Sequence, residues 1–471
     1  MTNNERIDTD SPDLKSYLKQ EIPLEDIRDY ASPQRIRSLD FVKGFAIIMI
    51  MIAHTSMVWL DADWFYLHGM LYAVLDILGP SLFIFLSALS VIFSIRRKKG
   101  KLPDKIIRNR IFSRGLTIML IGTIFNAIGL SVVRPDIPFP LNLWGWNILM
   151  FIGFSQIASY YALKLKKLSR AIIGVLIILI SPALREFLYI YKDSHFLVWI
   201  AHFLITSPTP EITLFPWLAI CFMSSIFGEY LYDAMMLGPG DAYIRLFRIF
   251  IIWGIIFVCC GLIGPNIHFA YPLRITWGTT LQTPETLVEA EYPHLRLFTI
   301  MNQQNYYKFP GMPEFLIRGT VGNMFYNLGA ALLIIAIFFY FVDIKNHMNN
   351  FTSMIEYYGK VSLSLFLVHY MFLGLYVGYF NIVVFVFICL AYIGFMGFFM
   401  YTWNEYGNGV GSPEWIMIQI SRIGQKSGQS VKKEAKKIED FVVKEGKKVE
   451  EFIKHETHKI KEAIHKKKED T

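Results

Sequence analysis

The apolar run LDFVKGFAIIMIMIAHTSMVWL, residues 39–60, carries Lys43 and His54 inside it, after Asp40 at its start. The two are eleven residues apart. A helix turns through about 1100° over that distance, so both side chains point to nearly the same face, about 16 Å apart along the axis. Ionisable groups within a membrane span are costly and face a bundle interior or a wet cavity, which makes the pair a functional-site hypothesis by default. An imidazole titrates near neutrality and serves as a base or a proton carrier. Two plainer readings stay open: a snorkelling Lys43, and a His54 that only hydrogen-bonds a neighbouring helix. Glu229 and Asp233, one turn apart near the end of a later apolar run, read as solvated or capping residues. His195, His202, His268 and His294 have no partner visible in the sequence.

Such residues need spans to hold them. Of 471 residues, 54% are hydrophobic and 18% charged, with mean hydropathy +0.39. Soluble domains carry about 25% charge, so the apolar excess must contact something other than water. Ten windows are long enough to cross a hydrocarbon core: 41–60, 71–95, 111–133, 144–163, 171–191, 212–236, 246–264, 320–342, 361–380 and 382–403. A weaker stretch at 195–207 reads as re-entrant or interfacial. The expected fold is an all-α polytopic membrane helix bundle of about ten spans, with an eleventh left open. The polar first 38 residues give no cleavable signal peptide, so the first span is expected to serve as its own targeting signal.

Lys and Arg mark one side. Arg96-Arg97-Lys98-Lys99, Lys164 to Arg170, Arg245 with Arg248, Lys345 with Lys360, and the Lys-rich tail follow the even-numbered windows. By the positive-inside rule both termini face the cytoplasm of a multi-pass cell-membrane protein. The expected organisation is an N-terminal arm 1–38, a bundle 39–404 with a long outer loop 265–319, a membrane-proximal connector 405–425, and a tail 426–471. The tail repeats with an eleven-residue period in KIEDFV, KVEEFI and KIKEAI, which predicts an amphipathic helix. It is read as lying on the anionic inner leaflet, with a solvated helix and a right-handed coiled coil as alternatives. The net charge of +8 resides in loops and tail, so no nucleic-acid partner is implied. Cys221, Cys259, Cys260 and Cys389 all fall in apolar windows, so neither a disulfide framework nor a metal site is expected. No Gly-rich phosphate loop points to ATP-driven work.

RIRSLDFVKGFAIIMIMIAHTS resembles the first helix of the transmembrane acyltransferase superfamily, with Arg35, Leu39, Asp40, Gly44 and His54 matching and Lys43 in place of an Arg. HGMLYAVLDILGPSLFIFLSALSVIFSIRRKKGK is similar to the second helix of the heparan-α-glucosaminide N-acetyltransferase branch through His68, Asp76 and Pro80, without the usual Trp-Asn after that His. GKVSLSLFLVHYMFL, 359–373, resembles a stretch of the acyltransferase-3 branch, with His369 matching and Phe366 for a Tyr. LFPWLAICFMSSIFGEYL and Glu414-Trp415 are similar to segments of further relatives.

The resemblance implies an acyltransferase that takes an acyl group, acetyl above all, from cytoplasmic acyl-CoA. It delivers the group to a hydroxyl or amine of a sugar-like acceptor at the outer face. Acyl-CoA is then a donor substrate, with no covalently bound cofactor. Lys43, Arg110 and Arg114 are the expected partners of the CoA phosphates. His54 or His68 is the expected base, and Asp76 would hold an imidazole in one tautomer, unless it only bonds helix to helix. His369, counted from the start of its window, is expected toward the donor side as a substrate-binding residue. Direct transfer and an acyl-histidine relay both fit, and the acceptor and the oligomeric state stay open. Two competing readings are a transporter or flippase that uses Lys43, His54 and Asp76 as a relay, and a degenerate membrane scaffold.

Overall fold

Backbone N–H and C=O groups in an apolar medium must bond one another, and the long apolar stretches accordingly close into helices. In a computed structural model of the chain the described residues are 36–61, 81–98, 104–133, 139–206, 213–263, 314–316, 319–407, 409–413 and 415–416. Residues 1–35 of the N-terminal arm, His68, Asp76, Glu414, most of the 265–319 loop and the whole 426–471 tail lie outside them.

The helices are α1 (Arg37–Trp59), α2 (Leu82–Lys98), α3 (Asp104–Val133), α4 (Ile148–Ala162), α5 (Lys167–Tyr191), α6 (Phe196–Ile205) and α7 (Leu214–Leu237). After them come α8 (Asp241–Ile263), α9 (Val321–Phe339), α10 (Asn350–Lys360), α11 (Ser362–Val368), α12 (Tyr370–Leu373) and α13 (Ile382–Tyr406). Among the described residues, six are long and apolar enough to cross a membrane: α1, α5, α7, α8, α9 with its extension to Ile344, and α13. The apolar part of α2, together with α4, α6 and the α11–α12 stretch, is shorter. At 1.5 Å per residue the 15 residues of α4 reach about 22 Å, less than a core of roughly 30 Å. Windows of mean apolarity counted in residues that are not helical, such as Trp144 to Asn147 ahead of α4. The 195–207 stretch forms only α6, none of whose residues is buried.

Two further departures bear on the site. Residues read as a loop before window nine form α10, opened by a capping box in which Asn349 and Thr352 bond each other's backbone N–H. Window nine itself ends at Leu373 and turns through Gly374 and Gly378 to an isolated bridge between Leu60 and Phe380.

Contacts place the Lys- and Arg-rich helix ends together. Asp343, just past α9, accepts the backbone N–H groups of Arg37 and Ser38 at 3.0 and 3.1 Å, capping α1 from another helix. Tyr243 near the start of α8 packs at a tilt against Phe339 at the end of α9, with ring centres 5.0 Å apart. Arg96 of α2 and Arg170 of α5 both bond Glu229 near the end of α7. Glycines let backbones approach: a Cβ on Gly261 would lie 2.7 Å from Gly322 O, and one on Gly329 would lie 2.6 Å from Gly254 O, so α8 and α9 cross on a small-residue stripe.

Candidate active site

Helix α1 is clamped along its length by residues 355–380. At its first turns α10 crosses so closely that a Cβ on Gly44 would sit 1.8 Å from Ile355 O, and one on Gly359 1.8 Å from Asp40 O. Arg37 donates from Nε to Glu356 Oε2 at 3.0 Å, and Lys360 pairs with the other carboxylate oxygen at 2.7 Å. At the far end the Trp59 indole N–H donates to Leu373 O at 2.7 Å. There the N–H groups of Gly378 and Tyr379 bond Val58 O and Trp59 O. Between these clamps the two segments run parallel and in step. His54–His369 and Trp59–Leu373 are 315 and 314 residues apart, and Gly44–Gly359 shares that offset.

The step in the middle of the clamp is a pair of imidazoles. His54 Nδ1 lies 2.8 Å from His369 Nε2, with the rings stacked at a 13° interplanar angle. His369 is fully buried and its Nδ1 lies 3.0 Å from Leu365 O, an atom that only accepts. Nδ1 of His369 therefore carries the proton, and its Nε2 accepts from His54 Nδ1–H. His54 Nε2 is left as the acceptor of its ring, and the Tyr370 hydroxyl faces it at 3.4 Å. This proton assignment follows from the hydrogen-bond network. Tyr392 fixes the backbone by donating to His369 O at 2.7 Å. Phe125 of α3 closes the far side, edge-on to Tyr370 with ring centres 4.9 Å apart.

The sequence expectations meet this geometry unevenly. His54 is half-buried against polar and aromatic groups, on an interior face of the bundle. His369 stands level with His54. The count from residue 361 placed it too near the helix start, because α10 adds three turns before it. Lys43 is half-buried near the other end of α1, Arg110 is half-buried on α3, and Arg114 is exposed one turn further along. His68 and Asp76 lie outside the described residues. Glu229 is a correction: it is 4% exposed and holds Arg96, Arg170 at 2.8 Å and Lys167 at 3.6 Å, whereas Asp233 is exposed as expected. Interhelical pairing decides that case, and spacing along one helix does not display it. No group of three or more His, Cys, Asp or Glu suited to a metal ion occurs among the described residues.

Residues 35–258 match the family model described as heparan-alpha-glucosaminide N-acetyltransferase, catalytic, a little under half of the chain. That segment is similar to a family of acetyl-CoA-dependent N-acetyltransferases, and the described residues include six helices long and apolar enough to cross a membrane. His54 falls inside the matched segment and His369 beyond its end, so the paired imidazoles join a recognised part of the chain to one that the match does not reach. No curated protein matches the chain.

Proposed function

We propose that the protein moves an acetyl group from cytoplasmic acetyl-CoA to a hydroxyl or amine of a sugar-like acceptor bound at the outer face. The observation that carries this reading is the proton-ordered chain Leu365 O, His369, His54, which leaves His54 Nε2 as the acceptor. In it, His54 Nε2 removes the proton of the acceptor O–H or N–H as that atom attacks the thioester carbonyl. The C–S bond breaks, and the CoA thiolate takes the proton from the His54 imidazolium. His369 is a positioning residue that also shares the positive charge formed on His54. An acyl-histidine relay would use the same Nε2 as nucleophile.

The donor enters, on this reading, at the Lys- and Arg-rich end, with Lys43, Arg110 and Arg114 as contacts for the CoA phosphates. Its pantetheine arm runs along α1 toward His54. His68 and Asp76 stay in the proposal on the acceptor side. The bundle is proposed to have about ten spans in a cell membrane, with both termini cytoplasmic, the shorter helices crossing with help from loops and neighbours. The tail is proposed as an amphipathic cytoplasmic helix.

The test is acetyl transfer from labelled acetyl-CoA by the purified full chain in liposomes, with glucosamine-type and hydroxyl acceptors. His54→Ala is expected to lose about 10²–10⁴-fold in kcat. His369→Asn, which keeps a polar group but not the ring, is expected to lower kcat with KM for acetyl-CoA nearly unchanged. A His54→Ala variant that folds and turns over at the wild-type rate would sink the reading.

A further inference from the structure

Helix α5 buries one stripe, on which Arg170, Gly174, Ile178, Ser181, Pro182, Arg185 and Leu188 lie. Its two arginines meet different fates. Arg170, 1% exposed, is matched by Glu229 and by Ser225 Oγ at 2.8 Å. Arg185, 5% exposed, pairs with no carboxylate of the described residues. Its one hydrogen bond there is a long one, from Nη1 to Gly319 O at 3.4 Å, and its Nε has no acceptor. One turn back on the same stripe, the buried Ser181 Oγ also has no partner.

The side-chain acceptor that holds the Gly319 turn is already taken. Asn323 Oδ1 takes the N–H of Gly319 at 3.1 Å and the amide of Asn327 at 3.0 Å. Gly319 sits at φ +80°, and a Cβ there would lie 2.9 Å from Arg185 Nη1, so the backbone closes on the guanidinium only because that residue is glycine. A buried guanidinium and a buried hydroxyl, adjacent and both short of acceptors, are an uncompensated desolvation in the protein alone. The planar fork of arginine matches an oxyanion.

We infer that Arg185 and Ser181 form a binding site for an oxyanion, a carboxylate, sulfate or phosphate group, reaching the bundle from the end opposite the Lys- and Arg-rich one. Placement follows from Gly319, which leads into α9 at the end remote from Asp343. The site does not depend on the acyl-transfer reading. Its ligand comes either as a soluble anion or as the headgroup of an anionic lipid.

The experiment uses the full chain, stripped of lipid in a neutral detergent, and follows thermal unfolding. One arm titrates sodium sulfate, phosphate and acetate against sodium chloride at equal ionic strength. The other adds short-chain phosphatidylglycerol against phosphatidylcholine. A rise of about 3 °C or more is expected in one arm at saturation, since a ligand that binds only the folded state stabilises it. Arg185→Met should abolish the rise, and Ser181→Ala should weaken the apparent affinity several-fold. Excluded salts stabilise without binding, so a rise shared equally by wild type and Arg185→Met overturns the site. So does a wild type that none of these probes shifts. If Arg185→Met does not fold, Arg185→Lys keeps the charge without the fork and should need about tenfold more anion; with either this or Ser181→Ala, an unchanged titration overturns the proposal.

Discussion

His54 and Lys43 occupy one helix face, and different roles are proposed for them. A general base must be one tautomer at the moment of reaction, and a lone imidazole in a cavity exchanges between two. The 2.8 Å bond to His369, itself tied to Leu365 O, removes that choice. The task proposed for Lys43 is plainer, since a primary ammonium on a flexible stem grips phosphate as a point charge. Lys43→Ala is therefore expected to weaken CoA binding by about 1–3 kcal/mol, typical of a hydrogen bond to a charged group. Lys43→Arg should retain it. Calorimetry with desulfo- or intact CoA checks this, and equal affinity in the alanine variant would reduce Lys43 to a snorkelling side chain.

At the level of elements, the alignment of the two histidines rests on how α10 and the turn after α12 grip α1. The Gly44–Gly359 crossing has no room for a methyl group, with a Cβ 1.8 Å from a backbone oxygen in either direction. Gly359→Ala is expected to cost about 1–3 kcal/mol of stability by overpacking. Because the crossing sets the register, it should also lower kcat more than it raises KM. Denaturation and steady-state kinetics on the same preparation separate the two effects. Glu356 gives this clamp a pH dependence. Burial pushes its carboxyl up, but the hydrogen bonds and charges of Lys360 and Arg37 outweigh that and hold it below the usual glutamate value. A lowered folded value means that the ionised form favours folding. Its contribution is then complete above the ordinary unfolded value of about 4.3 and is lost as pH falls through the lower folded one. Melting temperature is expected to drop across that window in the wild type and to drop less in Glu356→Gln. Parallel curves would show that the clamp does not titrate there.

For the whole molecule, the sidedness of charge fits the proposed division of labour. Helix ends rich in Lys and Arg gather at one end through Glu229, Asp343 and Glu356, and the imidazole pair sits toward the other. An enzyme that takes its donor from one compartment and serves an acceptor in another needs this polarity. Every candidate catalytic residue lies before residue 370, so deletion of 426–471 should leave acetyl transfer by the purified protein within about twofold. The isolated 426–471 peptide should turn helical on anionic vesicles and be released as salt rises, the behaviour of an amphipathic basic helix. Loss of activity in a folded deletion variant would show that the tail belongs to the catalytic unit.

What the sequence determined by itself is local. Apolarity marks α1, α5, α7, α8, α9 and α13 as membrane-length helices, and a 100° rotation per residue puts Lys43 and His54 on one face. The motif around Asp40, Gly44 and His54 points to acyl transfer, and the family match over 35–258 agrees. What only the tertiary structure decided are pairings between helices. His369 meets His54 across 315 residues, Glu229 draws in Arg96 and Arg170, and Arg185 is buried without a carboxylate among the described residues. The amphipathic α10, with polar and apolar residues interleaved, escaped a search for hydrophobic windows, and with it went the depth of His369. Periodicity reports which face of a helix is buried. Which group waits on the other side depends on crossing points such as Gly44–Gly359, where the approach of two backbones is set by atoms far apart in the chain.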